Sequence, residues 1–131
     1  MHANILLDCH LSLVKDLRSR LLAGQHLDVK LIRNPELSEL GKRLQAAEMR
    51  EHRYTQEYLD VVEALDNFLL VASVLASIAN SKSAEDAAMV FKQNPQYRET
   101  SLRLSRCINT LTDFTSKTKA FSRNGDEWTV G

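Results

Sequence analysis

The stretch from Pro35 to Ala79 carries the pattern that most constrains the fold. With Leu37 placed at heptad position a, every a and d position up to Ala79 is apolar or aromatic except Glu51. No proline interrupts the pattern after Pro35. It predicts one uninterrupted helix, about 65 Å long at 1.5 Å per residue.

The two halves of this predicted helix differ in how far their apolar surface extends. Up to Asp60, charged residues flank a narrow apolar seam, which is typical of a coiled coil. From Val61 to Ala79, apolar residues cover nearly the whole circumference, so other helices must surround this half. The acidic residues Glu63 and Asp66 would each cost about 2.5 kcal/mol or more at a bilayer centre. We therefore expect a buried core helix here and no membrane span.

Start and stop signals predict three further helices. A first helix runs from about Asn4 to the stop at Gly24, and a short one runs from Ser83 to about Gln93. The last begins at Asn94-Pro95 and continues to about Phe121, because asparagine followed by proline is a favourable N-cap and first helical residue. The linker between Gln25 and Arg33 is expected to be an ordered connection or a helical turn, since an isolated strand would have no partner.

Composition agrees with a folded helical protein. Of the 131 residues, 44% are hydrophobic and 26% are charged, with 17 basic and 17 acidic side chains, which excludes a disordered chain and a basic nucleic-acid arm. No glycine occurs between Lys42 and Asn124. The predicted fold is all-α: a helical bundle of about four helices built around one long central helix with a coiled-coil-like N-terminal half. Residues 1–122 would form one domain, followed by a C-terminal tail at 123–131.

The sequence offers little that would support catalysis. No zinc-ligand spacing, Glu-x-x-His pair set or glycine-rich phosphate loop occurs, so we predict no metal, no cofactor and no small-molecule substrate. His52 is expected to be solvated beside Glu48. Cys9 and Cys107 lie far apart and predict no disulfide framework. No secretory signal is evident, and a cytoplasmic, non-enzymatic protein is expected.

Length leads to a prediction about partners. The first and last helices can cover the apolar half of the long helix but leave its charged half uncovered. We therefore predict a homodimer through the long helix, or capture of a helical protein partner, with parallel and antiparallel pairing both open. A chain that folds back over its own seam is the alternative. The predicted partner-binding residues are Leu37, Leu40, Leu44, Ala47, Tyr54, Tyr58 and, in the tail, Trp128.

The functional hypothesis is a protein–protein interaction module that serves as an adaptor, a chaperone-like protein or an inhibitor. The alternative is a helical nucleic-acid-binding regulator that uses its basic last helix, although zero net charge argues against it. The residues that would contact nucleic acid are Arg98, Arg103, Arg106, Lys117 and Lys119.

Overall fold

The computed structural model describes the backbone of residues 4–130 and the side chains of residues 4–117. Every regular element in this range is helical, so the chain is all-α. Six α-helices occur in the order α1 (Ile5–Leu22), α2 (Val29–Arg33), α3 (Glu39–Leu44), α4 (Gln56–Ala79), α5 (Ala84–Gln93) and α6 (Pro95–Val130). Two short 3₁₀ helices, Pro35–Leu37 and Ala47–His52, precede and follow α3.

Helices α1, α4 and α6 form the centre of the fold. Two contacts show that α4 and α6 are antiparallel: the rings of Phe68 and Tyr97 lie 5.3 Å apart, and the side chains of Glu63 and Arg103 lie 3.4 Å apart. This pairs the acidic flank of α4 with a basic residue of α6. Helix α1 runs antiparallel to α6, because Asn4 contacts the Asn109 side chain near one end and the His10 ring contacts Ser101 further along.

The predicted long helix is wrong, because the chain between Pro35 and Ala79 turns several times. Ser38 begins α3: its hydroxyl donates to the Pro35 carbonyl and accepts from the Gly41 amide, at 2.7 and 2.9 Å. Thr55 begins α4 in the same way, donating to the His52 carbonyl at 2.6 Å and accepting from the Tyr58 amide at 3.3 Å. Such local hydrogen bonds offer the backbone an alternative to a continuing helix. The predicted coiled-coil half is therefore a folded-back segment of short helices.

Gly41 allows this segment to fold tightly. A Cβ atom at this position would overlap the carbonyl group of Pro35, so only glycine fits where α3 packs against the preceding 3₁₀ helix. The end of α3 is stabilised from outside: the Tyr58 hydroxyl donates to the Leu44 carbonyl at 2.8 Å, and Arg53 donates to the Gln45 carbonyl at 2.8 Å. Both bonds satisfy acceptors that a helix terminus leaves without partners.

The predicted starts of the first, short and last helices are confirmed, as is the end of the first. The predicted end of the last helix at about Phe121 is wrong, because α6 continues to Val130 and so runs through most of the predicted tail. Asn4 caps α1 by accepting from the Leu7 amide, and Gly24 follows its end with a φ of 70°. Ser83 caps α5 by accepting from the Asp86 amide at 3.3 Å, and Asn94 accepts from the Tyr97 amide as α6 begins. These signals are local, which explains why they could be recognised from sequence.

Asn80 fixes the connection between α1 and α2. Its side-chain amide donates to the Leu27 carbonyl and accepts from the Leu27 amide, both at 2.8 Å. Leu27 itself is fully buried in the core cluster formed with the ends of α1 and α4. The connection therefore is ordered and continues into the helical turn α2, as the sequence predicted.

Candidate interaction surface

The predicted seam does not form a continuous surface. Leu40 and Leu44 are each 2% exposed, and Tyr58 is also buried, so the chain itself covers these three side chains. Leu37, Ala47 and Tyr54 remain exposed but lie on separate elements. The chain folds back over the seam, which was the alternative to dimerisation through it. These six residues therefore do not form one continuous stripe to which a partner helix could bind.

Some predicted residues lie beyond the described side chains. Trp128 and Lys119 belong to residues 118–131, as does the tail predicted from position 123. Their predicted contacts with a partner or with nucleic acid stay predictions.

The basic residues of α6 share one side of the helix with acidic residues. Arg98, Arg103, Arg106 and Lys117 are all exposed, and at 100° per residue they lie within about 140° of arc. Glu99 and Asp113 are exposed within the same arc. Arg103 also forms an ion pair with Glu63 of α4. The described part of α6 therefore presents mixed charge on this side, whereas phosphate recognition needs a concentrated positive surface.

Among the described helices, α4 exposes the most large aliphatic side chains. One side of this helix is buried in the core, where Val61, Phe68 and Ala72 are completely covered. The opposite side exposes five aliphatic side chains by 41–52% each. We call this surface the α4 face, and it consists of Leu59, Val62, Leu70, Val74 and Ile78. At 100° per residue these five positions lie within about 160° of arc, so they share one side of the helix.

Charge divides the α4 face into two halves. In the N-terminal half, Asp66 lies 2.8 Å from Arg33 of α2, and Glu63 pairs with Arg103 of α6. From residue 67 to 79 the sequence has no charged side chain. Glu63 and Asp66 lie within the arc of the α4 face, so two ion pairs interrupt its N-terminal half, whereas its C-terminal half is uncharged.

A cavity of about 340 Å³ opens beside the N-terminal half of the α4 face. It lies between α3 and α4, and Leu59 and Val62 belong both to its lining and to the α4 face. A second cavity, of about 310 Å³, lies between α1 and the segment from α2 to α3. Leu31 and Leu37 stand half-exposed on its wall.

The second cavity is lined by several polar side chains, among them Ser12, Asp16 and Glu39. Cys9 lines the second cavity, but burial raises the pKa of its thiol and so disfavours the nucleophilic thiolate. Cys107 is half-buried, and burial raises its pKa as well. Among the described residues, no group of three or more His, Cys, Asp or Glu side chains is arranged to hold a metal ion.

Two histidines are buried, which the sequence analysis missed. His10 is 0% exposed; its Nε2 lies 2.8 Å from the Ser101 hydroxyl, its ring meets Phe68 edge-on at 4.9 Å, and its Nδ1 has no hydrogen-bond partner. Burial lowers the pKa of His10 to about 4. The next residue, Leu11, points the other way and is 52% exposed.

His52 corrects another expectation. It is buried and packs edge-on against Phe114, with ring centres 6.1 Å apart, and so is not the solvated residue beside Glu48 that we predicted. Its position in a 3₁₀ helix, which replaces the predicted α-helical turn, accounts for the change.

Among the described residues, α4 alone is long and apolar enough by composition to cross a membrane. Half of its most apolar window is buried within the bundle. Scans of protein-family models, curated proteins and solved structures each gave no match to this chain.

Proposed function

We propose that this chain is a non-enzymatic, cytoplasmic protein–protein interaction module whose partner packs on the α4 face. It would act as an adaptor, a chaperone-like protein or an inhibitor of its partner. The observation that carries this proposal is the exposure of Leu59, Val62, Leu70, Val74 and Ile78 by 41–52% on one side of the most apolar helix. Exposed apolar side chains gathered on one side of a folded chain's helix are typical of interaction sites.

The energy available from the α4 face can be estimated. Covering the exposed half of one aliphatic side chain is worth about 1 kcal/mol, so the five together supply on the order of 5 kcal/mol. Association itself costs an estimated 4–15 kcal/mol. A stable complex therefore requires additional contacts along the neighbouring edges of α2 and α6.

The shape of the α4 face favours a helical partner. From Leu59 to Ile78 it extends about 28 Å along the helix axis at 1.5 Å per residue. Arg33 of α2 and Arg103 of α6 reach over its two sides to the acidic residues of α4. A helix laid along such a surface buries its own apolar stripe, as in other helix-docking interfaces.

The proposal assigns no catalytic step to the chain. His10, the most completely buried titratable group, contacts Ser101 and Phe68 in the core and lines neither cavity. The raised pKa of Cys9 argues against a nucleophilic role for the thiol in the second cavity.

Site-specific photo-crosslinking in the native host tests this proposal. A benzophenone amino acid at Val74 is expected to give crosslinked adducts of discrete mass. The same group at Leu11 or Leu102, which are 52% and 50% exposed on other helices, serves as a matched control for exposure. Discrete adducts at Val74 alone support the α4 face as the interaction surface. The absence of adducts at Val74, or the same adducts at all three positions, would refute it.

A further inference from the structure

The identity of the partner can be argued further, on the basis of the proposed function. We propose that the α4 face is occupied by a second copy of this chain, packed antiparallel so that the two α4 helices meet at Val74. Three features of the α4 face support this occupant: its spacing, its lack of charge in the C-terminal half, and the position of its charged groups.

Spacing makes the C-terminal half of the α4 face self-complementary. Leu70, Val74 and Ile78 follow one another at four-residue intervals, so they form a single row along the helix. In a two-fold pairing centred on Val74, Leu70 of each chain faces Ile78 of the partner subunit. This contact then occurs twice, and the two Val74 side chains meet each other once on the axis, as a two-fold interface requires. The result is a closed core of six aliphatic side chains.

The lack of charge in this half keeps that core free of buried ionic groups. Residues 67–79 carry no charged side chain, so the meeting point of the two helices requires no desolvation of an ion. The polar residue Ser77 is exposed on the same side and can remain at the edge of the contact.

Charge also selects the antiparallel direction. All charged residues of α4 are acidic and lie in its N-terminal part, namely Glu57, Asp60, Glu63 and Asp66. Parallel pairing would place these acids beside their own copies, which is unfavourable. Antiparallel pairing about Val74 instead brings Asp66, eight residues before it, near Lys82 of the partner subunit, eight residues after it. The Asp66 carboxylate, which pairs with Arg33 of its own chain through Oδ1, would then face a second basic group. Lys82 is exposed just beyond the end of α4.

Cysteine crosslinking tests both the occupant and its direction. Cys9 and Cys107 are first replaced by serine, and the purified chain is treated with a short bis-maleimide. Val74→Cys is expected to give a covalent dimer by itself. Leu70→Cys and Ile78→Cys are expected to crosslink strongly only when the two variants are mixed. Leu11→Cys is the control, because Leu11 and Val74 are equally exposed, and it is expected to form no crosslinked dimer.

Two results would overturn the proposal. If Val74→Cys forms no more dimer than Leu11→Cys, the second copy does not occupy the α4 face. If Leu70→Cys crosslinks to itself as efficiently as the mixture with Ile78→Cys, the antiparallel register about Val74 is wrong.

Sedimentation equilibrium supplies the matching measurement without crosslinks. The chain is expected at twice its mass of 14.9 kDa, and Val74→Asp at the single-chain mass with an unchanged helical circular dichroism spectrum. Leu11→Asp is expected to remain dimeric. Lys82→Ala is expected to weaken the dimer by up to about thirtyfold, the effect of losing two exposed ion pairs, one at each copy of the contact.

The outcomes separate this proposal from the proposed function. A single-chain mass at all concentrations, together with adducts of Val74 to a different protein in cells, would refute the second copy and leave the interaction surface intact. Val74-dependent flotation of the single chain with phosphatidylcholine vesicles would refute the second copy in favour of a lipid surface. A single-chain mass with no adduct in cells would refute both proposals.

Discussion

Acidification is expected to destabilise the fold through His10. This residue is fully buried between α1, α4 and α6, where it touches Ser101 and Phe68. Burial lowers its pKa from 6.5 to about 4, because the protonated ring loses its hydration in the core. In the unfolded chain the same ring is solvated and titrates at its ordinary value.

The sign and size of the effect follow from these two pKa values. Above pH 6.5 the ring is neutral in both states, so it adds no pH dependence. As the pH falls from 6.5 towards 4, the unfolded chain binds a proton that the folded chain does not, and stability drops by about 1.4 kcal/mol per pH unit. The loss amounts to about 2 kcal/mol at pH 5 and about 3 kcal/mol at pH 4.

Urea unfolding, followed by circular dichroism between pH 7.5 and pH 4, measures this loss. His10→Leu, an apolar replacement of similar size, is the control, because every other titrating group remains in it. The difference in unfolding free energy between the two proteins is expected to grow by about 3 kcal/mol from pH 7 to pH 4. Parallel pH profiles for the two proteins would contradict the assignment of the lowered pKa to His10.

Three substitutions test the contacts that fold the segment between Pro35 and Ala79 and hold its ends. Gly41→Ala is expected to lower the free energy of unfolding, measured with urea, by about 1–3 kcal/mol, because the new methyl group overlaps the Pro35 carbonyl. A smaller loss than that caused by Lys42→Ala at the exposed neighbouring position would contradict the tight packing. Tyr58→Phe should lower the free energy of unfolding by about 1–2 kcal/mol, because it leaves the buried Leu44 carbonyl without its donor. Tyr54→Phe, at a 93% exposed site, should leave the free energy of unfolding unchanged. Asn80→Ala should lower the free energy of unfolding by about 2 kcal/mol and speed hydrogen exchange at the Leu27 amide, because both hydrogen bonds to Leu27 are lost. An unchanged exchange rate at Leu27 would refute the claim that Asn80 holds this connection.

Elements with local signals could be predicted from sequence. Asn4, Ser83 and Asn94 accept hydrogen bonds from amides two or three residues into the helices that follow them. These caps depend only on residues adjacent in the chain. The all-α class also follows from composition and from the absence of glycine between Lys42 and Asn124.

The path of the chain from Pro35 to Ala79 could not be predicted in the same way. A heptad pattern specifies which side chains are to be buried but not which surface buries them. Leu40 and Leu44 are buried as the pattern requires, yet against the chain's own core. The signals for the breaks, Ser38 followed by Gly41 and the hydroxyl of Thr55, are short and common, and their meaning depends on contacts with Pro35 and His52.

The α4 face was only half predictable. Sequence showed that α4 is apolar on nearly all sides after Val61, and this required neighbours around it. Which side lacks a neighbour depends on where α2, α5 and α6 pack, and that is a property of the tertiary fold. The five exposed residues of the α4 face therefore replace the predicted seam as the place where a partner binds in our proposal.

Methyl NMR with a soluble paramagnetic agent tests the central claim most directly. In the single chain, Leu70, Val74 and Ile78 are about as exposed as Leu11 and Leu102, at 44–52%. If a second copy covers the α4 face, the methyl signals of Leu70, Val74 and Ile78 in the concentrated protein will be protected from broadening, while those of Leu11 and Leu102 will be broadened. Equal broadening of all five residues would contradict the claim.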